Sequence, residues 1–229
     1  MVHKGMNITG HYIGMRRFIV ILFLAFVTVS VFVSQNEGKE ISFPDKLEQV
    51  MNTTSMNTYR DDFYGYVIRY PSFFEQVPDS LIKEKGCCQF YFWNVEKIVQ
   101  TVFVMLNADN LTLRQGMDVF AKQLHATSRR CGSDSFVLTG PLYVDNERVD
   151  GHRFYAKYVQ RQKLWFVQFL AYPESCTQAV ARLINLINDW QVWEDNTKQV
   201  PELPWRQYGS VSFRKSLPVP CFRWIFVAD

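Results

Sequence analysis

The alternation of apolar and polar positions along the chain predicts six β-strands. Pro71 is the last residue of the first strand and Pro173 follows the last strand, and a proline ends a strand because it cannot donate to the ladder. The polar residues 160–163 leave room only for a tight turn, so the fifth and sixth strands pair antiparallel. Gly140-Pro141 is expected to interrupt the fourth strand. The predicted strands cover 63–71, 88–93, 98–106, 136–144, 153–159 and 164–172.

Two segments change to a helical period. Thr112 with Gln115 three residues later predicts a capping box, and Ser175 with Gln178 repeats the pattern. The chain therefore reads as three strands and a helix, twice over. The predicted fold class is α+β, an antiparallel sheet flanked by helices in two β-β-β-α halves. The inward stripes are Leu113, Met117, Phe120, Ala121 and Leu124 in the first helix, and Val180, Leu183, Ile184 and Ile187 in the second, which is expected to end near Trp190.

An uncharged apolar run occupies residues 18–33, and the uncharged residues 34–36 extend it towards the length that spans a bilayer. Arg16 and Arg17 precede the run, so positive-inside reasoning places the N-terminus in the cytoplasm. The run is interpreted as a transmembrane anchor, with a cleaved secretory signal as the alternative. Translation from Met15 instead of Met1 stays open. The anchor positions are Phe18, Ile19, Ile21, Leu22, Phe23, Leu24, Phe26 and Val33.

These patterns divide the chain into five parts. All six predicted strands and both helices fall in one domain, and the tail after it is rich in proline and aromatic residues. The expected parts are a cytoplasmic N-terminus at 1–17, an anchor or signal segment at 18–36, a polar stalk at 37–58, the domain at 59–195, and a tail at 196–229. A weak apolar pattern at Leu47, Val50 and Met51 leaves one short helix open within the stalk.

Composition limits the classes of function. Aromatic residues make up 16% of the chain, which favours a well-filled core over disorder. The 25 basic and 22 acidic residues give a net charge of +3 without long runs, so no nucleic-acid surface is predicted.

All five cysteines follow the apolar run and would share one compartment, which is oxidising if the run places them outside the cytoplasm. Disulfides are therefore candidates, although an odd count leaves one thiol over. Zinc-type Cys-x-x-Cys spacing does not occur, and we predict neither a metal nor a cofactor. The candidate disulfide cysteines are Cys87, Cys88, Cys131, Cys176 and Cys221.

Catalytic residues are not assigned, because no familiar catalytic or phosphate-binding motif occurs. Beyond the apolar run the histidines are His125 and His152. His152 follows an acidic turn with Asp145, Glu147 and Asp150, which is either an acid–base cluster or an ordinary solvated turn.

Aromatic residues are dense in two of the predicted strands. Alternation sends about half to each face of the sheet, where they serve the core. If the helices leave part of one face open, the outward set would form a groove for a peptide or a protein partner. The residues are Phe90, Tyr91, Phe92, Trp93, Trp165, Phe166, Phe169 and Tyr172.

Residues 66–74 (YVIRYPSFF), a strand running into a Tyr-Pro-Ser turn, resemble the PsbP and DcrB-like α/β/α sandwich family. Residues 149–153 (VDGHR) are similar to the family's glycine-containing approach to the later hairpin. The resemblance implies a central antiparallel sheet with helices on its faces. It also implies binding and assembly roles, such as extrinsic photosystem subunits or partners of small GTPases, and carries no catalytic residue over.

The sequence thus predicts a membrane-tethered, non-enzymatic domain outside the cytoplasm that binds a protein partner or assists assembly. A secreted or periplasmic protein is expected instead if the signal is cleaved. Two alternatives stay open: an extracytoplasmic enzyme or thiol-redox protein that uses Cys87 or Cys88, and a carrier of a small ligand.

Overall fold

The computed structural model describes residues 41–82 and 84–193, and from Phe43 onward these belong to one compact unit. The described residues form three α-helices and nine β-strands, with short 3-10 helices at Asp79–Leu81 and Glu174–Cys176. In chain order they are α1 (Phe43–Thr53), β1 (Met56–Arg60), β2 (Val67–Pro71), β3 (Glu75–Gln76), β4 (Cys88–Trp93), β5 (Lys97–Leu106), α2 (Leu113–Gln123), β6 (Ser128–Cys131), β7 (Ser135–Val144), β8 (Glu147–Arg161), β9 (Leu164–Pro173) and α3 (Ala181–Asn188).

Seven strands form one antiparallel sheet in the order β3-β4-β5-β9-β8-β7-β6. The turn at Gln162 and Lys163 joins β8 to β9 as the sequence predicts, with Arg161 opposite Leu164. The chain enters the sheet near one edge, crosses from β5 to the far side through α2, and returns through β7 and β8 to β9 at the centre. The α+β class with an antiparallel sheet is confirmed.

Hydrophobic cores lie on both faces of this sheet. Directly paired residues of neighbouring strands point to the same face, whereas successive residues of one strand point to opposite faces. One face holds Phe90, Phe166 and Leu170 and is covered by α1, α3 and the β1–β2 pair. The other face holds Phe136, Tyr158 and Trp165 beneath α2. The alternation predicted for the aromatic strands is therefore present.

The stalk prediction, which left one short helix open, needs correction for residues 43–58, because the segment packs into the domain. This segment forms α1 and β1, and β1 pairs with β2 in a separate two-stranded sheet. Leu47 and Met51 of α1 are buried in the first core. Arg182 of α3 donates to the carbonyl oxygens of Met51 at 2.7 Å and Thr54 at 2.9 Å, where α1 ends. The weak apolar pattern at Leu47 and Met51 indicated the helix, but not its packing against the domain.

The predicted order of two β-β-β-α halves also needs correction. The six predicted strands correspond to β2, β4, β5, β7, β8 and β9, but β1, β3 and β6 were not predicted. β2 pairs with β1, outside the large sheet. Gly140 and Pro141 do not interrupt β7; both keep partners in β8, and a register irregularity follows between Pro141 and Tyr143.

The two predicted capping boxes have different outcomes. At Thr112 the side chain accepts from the Gln115 backbone N–H, and the Gln115 side chain accepts from the Thr112 N–H, so the first box is confirmed. At Ser175 the chain instead forms a 3-10 turn, and α3 begins after Val180 without a side-chain cap. The second box is wrong, whereas the end of this helix at Asn188 is near Trp190, as predicted.

We expect Thr112→Ala to lower the free energy of unfolding by about 1 kcal/mol, because the first turn of α2 loses its cap. Ser175→Ala is the matched control and should change stability by less than about 0.5 kcal/mol, since Ser175 caps no helix. Urea unfolding followed by circular dichroism measures both. Equal losses in the two variants would contradict the assignment of the caps.

Three predicted parts, the N-terminus at 1–17, the anchor or signal at 18–36 and the tail at 196–229, lie outside the described residues. Within the described ranges, no helix combines the length and the apolarity needed to cross a bilayer.

Candidate functional site

The end of the β4–β5 hairpin extends past the strands on both sides of it. The ladder from β3 to β4 stops at Tyr91, and the ladder from β5 to β9 begins at Val99. Between these points β4 and β5 pair only with each other, as far as Trp93 opposite Lys97. Over residues 92–98, therefore, the two strands of the hairpin pair with no other described strand.

The hairpin end carries exposed apolar side chains. Trp93 is 56% exposed and Val95 at the tip is 75% exposed, although large apolar side chains usually turn inward. The Lys97 ammonium lies 4.8 Å from the centroid of the Trp93 ring, a cation–π contact that holds the indole in place. On the opposite face Phe92 packs edge-on against Phe73 at 5.1 Å, which fixes the base of the hairpin to the core.

His152 at the start of the β8 segment that pairs with β9 lies beside this hairpin. Its Nε2 is 3.9 Å from Glu96 Oε2, and its Nδ1 is 2.9 Å from the Asp150 carbonyl oxygen. Sequence reasoning grouped His152 with the acidic turn at 145–150 and did not anticipate Glu96. His125 lies elsewhere, after α2, where its ring is 4.4 Å from that of Tyr143 and tilted by 36° to it. We call Trp93, Val95, Glu96, Lys97 and His152 the hairpin-end surface.

Trp93 is unusual among the eight strand aromatics singled out in the sequence. Trp165, Phe166, Phe169, Tyr172 and Phe90 are buried. Tyr91 and Phe92 are partly buried. The predicted outward groove is thus reduced to one exposed indole at the hairpin end.

The described cysteines are spread through the domain, and no disulfide joins any two of them. Cys88 lies in β4 and Cys131 in the edge strand β6, five strand spacings apart in the sheet order. At roughly 4.8 Å a spacing they are about 24 Å apart, beyond the reach of a disulfide.

Burial raises the pKa of the Cys88 thiol, and the Tyr66 hydroxyl lies 3.3 Å from its sulfur. This environment disfavours the thiolate that redox chemistry requires. Cys221 lies outside the described residues.

A second polar cluster lies under the C-terminal end of α3. The Lys157 ammonium donates to the carbonyl oxygens of Asn188 at 2.5 Å and Trp190 at 2.8 Å. Tyr155 donates its hydroxyl proton to the Asn188 side-chain oxygen, which also accepts from Arg130 at 2.8 Å. Burial lowers the pKa of Lys157 despite the nearby carboxylates of Asp134 and Asp189. The cluster ties α3 to the sheet.

Two buried glutamines lie next to Lys157 towards the centre of the sheet. Gln168 lies opposite Lys157 on β9, and Gln100 is a diagonal neighbour on β5. Both glutamines are buried, and their side-chain carbonyl oxygens have no hydrogen-bond partner among the described residues. Gln100 does donate to the Arg69 carbonyl oxygen at 3.0 Å.

No protein-family model matches the sequence, and no curated protein matches it. Similarities are found among solved structures. Cyanobacterial PsbP from Synechocystis is 14% identical, covers 61% of this chain and 94% of its own, and has a TM-score of 0.44. The Ran-binding protein Mog1p from Saccharomyces cerevisiae is 12% identical, covers 60% of this chain and 96% of its own, and has a TM-score of 0.42. The predicted PsbP-like fold agrees with these similarities, which concern the fold alone.

Proposed function

We propose that this chain is a non-enzymatic binding domain held at the outer face of a membrane, and that its hairpin-end surface contacts a protein partner. The observation that carries the proposal is the exposure of Trp93 on a hairpin end that pairs with no other described strand. Tryptophan is among the residues that contribute most to protein interfaces, because its large rigid surface loses little entropy on binding.

The hairpin-end surface has an apolar centre and a polar rim, so it suits a partner whose surface has the same arrangement. Trp93 and Val95 supply the apolar surface, while Lys97, Glu96 and His152 surround it with both signs of charge. An apolar centre with a charged rim is the usual anatomy of a protein interface. The anchored base at Phe92 keeps the surface ordered before binding, which lowers the entropic cost of association.

The membrane part of the proposal is supported by the apolar run at 18–33 and by Arg16 and Arg17 before it. Protease accessibility in intact cells and spheroplasts, paired with N-terminal sequencing, tests it. We expect a full-length chain that is digested only from outside. A mature chain that begins near Val31 would replace the tether with a cleaved, exported protein, and protection from external protease would contradict both.

Trp93→Ala should reduce recovery of the partner at least about tenfold, which corresponds to ~1.4 kcal/mol of binding free energy. The measurement is mild crosslinking followed by co-purification and quantitative mass spectrometry of one defined partner. Leu81→Ala is the control, because Leu81 is 60% exposed but lies outside the hairpin. Unchanged recovery with Trp93→Ala, or equal losses in both variants, would count against the hairpin-end surface.

A small-ligand carrier is the second candidate, and the two buried glutamine oxygens favour it. A ligand with two donors placed between Gln100 and Gln168 would satisfy both. Native mass spectrometry of the freshly purified chain should then show a bound mass that Gln168→Leu removes. A bare chain mass would remove this candidate.

A further inference from the structure

The strand β6 forms one edge of the large sheet. It pairs with β7 on one side, and the described sheet ends at β6 on the other. All four of its residues, Ser128 to Cys131, are exposed. An edge of this kind presents backbone donors and acceptors that an added strand can pair with.

The register shows which backbone groups face outward. The Gly132 N–H donates to the Ser135 carbonyl oxygen at 2.7 Å and closes the β6–β7 hairpin. Hydrogen-bonded and non-hydrogen-bonded pairs alternate along an antiparallel ladder, so Cys131 opposite Phe136 is a non-hydrogen-bonded pair. The backbone groups of Cys131 and, by the same alternation, of Arg129 therefore point away from β7.

The edge is also positively charged. Arg130 donates to the neutral amide oxygen of Asn188 rather than to a carboxylate, and the Lys157 ammonium binds the same residue. Two other arginines are paired with acids, Arg129 with Asp118 at 2.5 Å and Arg161 with Asp134 at 2.7 Å. The exposed Arg114 and Lys122 of the flanking helix α2 add further positive charge. The charged residues around β6 are therefore six basic and three acidic. The basic residues are Arg114, Lys122, Arg129, Arg130, Lys157 and Arg161, and the acidic residues are Asp118, Asp134 and Asp189.

From this combination we infer that β6 accepts an extended acidic segment of a partner protein as an eighth strand of the sheet. Backbone groups at Arg129 and Cys131 supply the ladder, and a carboxylate beside Arg130 supplies the charge-assisted contact. Two copies of this chain joined edge to edge would bring their arginine pairs together, so charge disfavours self-pairing. The surface goes beyond the proposed hairpin-end contact, since β4 and β6 are five strand spacings apart and their variants are separable.

Fluorescence anisotropy with the full-length chain in detergent tests the inference. The probe is a labelled peptide of alternating residues, Thr-Glu-Val-Glu-Thr-Glu-Val-Glu, and the same peptide with Lys for Glu is its charge control. Cys131→Pro removes one outward N–H without touching the pairing to β7. Cys131→Ala controls for the lost thiol. Thermal unfolding confirms that each variant is folded.

We expect the Glu peptide to bind, and Cys131→Pro to weaken it at least about tenfold relative to Cys131→Ala. If the proline variant fails to fold, Arg130→Glu takes its place and should reverse the preference to the Lys peptide. Equal binding of the two peptides, no effect of Cys131→Pro, or no binding up to millimolar peptide would overturn the inference. A dimer in sedimentation that Cys131→Pro dissociates would assign the edge to a second copy and overturn it as well.

Discussion

Trp165→Ala is expected to lower the free energy of unfolding by about 3–5 kcal/mol, as is usual for removing a fully buried aromatic side chain. Trp165 is 1% exposed and lies between the sheet and α2. Its ring meets Phe120 of α2 at 5.8 Å and Phe136 of β7 at 5.6 Å, both edge-on. The indole also lies over Gly116, where an added Cβ would come within 2.7 Å of the ring. Removing it leaves a cavity that the glycine cannot fill.

The control is Trp93→Ala, which removes the same side chain from the exposed hairpin end and should cost less than about 0.5 kcal/mol. Urea unfolding of the full-length chain in detergent, followed by circular dichroism, measures both variants. A Trp165→Ala loss as small as that of Trp93→Ala would show that α2 does not pack on the sheet as described. If the Trp165→Ala variant is folded and still binds the partner, Trp165 contributes to stability and not to partner binding.

Lys157→Ala is expected to cost about 3 kcal/mol, because the Asn188 and Trp190 carbonyl oxygens lose their donor and the stem leaves a cavity. Lys157→Met keeps most of the aliphatic part of the side chain and should lower the free energy of unfolding by about 1–2 kcal/mol, because only the hydrogen-bond donor is lost. The free energy of unfolding from urea denaturation at pH 7 measures both. Met and Ala variants of equal stability would contradict this division, and a Met variant as stable as the wild type would show that the two hydrogen bonds contribute nothing net.

The pH dependence gives Lys157 a second signature. Burial lowers its pKa in the folded chain, so the unfolded chain binds more protons between that lowered pKa and the ordinary value near 10.5. The stability that Lys157 contributes therefore rises with pH through this window. Burial raises the pKa of Tyr66 and Tyr158 in the folded chain, so these tyrosines also make stability depend on pH at alkaline values. The quantity to follow is therefore the wild-type stability minus that of Lys157→Met. We expect this difference to grow as the pH rises, and a flat or falling difference would contradict the buried placement.

Local patterns predicted much of the fold. The capping box at Thr112 and the stripe of α2 involve residues within a turn or two of each other, and both are present. The tight turn between β8 and β9 likewise depends on neighbouring residues. Alternation assigned the aromatic residues of β4 and β9 to opposite faces, since side-chain direction in a strand follows from the period of two alone.

Elements that depend on distant partners were missed. β1 is a strand because it pairs with β2. A short helix was left open where α1 lies, but its place in the domain was missed, because Leu47 and Met51 fill a core made by later residues. The exposed sequence Ser-Arg-Arg-Cys of β6 has no strand-like alternation, and its ladder to β7 supplies its order. Ser175 matched a capping pattern, yet a 3-10 turn packed through Cys176 replaces the first turn of the expected helix.

The candidate surfaces were only partly visible in the sequence. Trp93 was identified as one of a dense group of aromatics, but its exposure follows from where the β3 and β9 ladders stop, which no local pattern records. Lys157 stands at a core-facing position of a strand with uneven alternation. The lysine itself was the only sign in the sequence of a polar cluster at this position. The carbonyl oxygen of Asn188 that accepts from it lies 31 residues further along the chain.

Site-specific photo-crosslinking from position 95 in intact cells tests the central claim most directly. Val95 is 75% exposed at the hairpin tip, and Val119 on α2, at 39%, is the matched control position. We predict one protein adduct of discrete mass from position 95, absent from position 119 and diminished by Trp93→Ala. No protein adduct from position 95, or the same adducts from both positions, would contradict a partner-binding role for the hairpin-end surface.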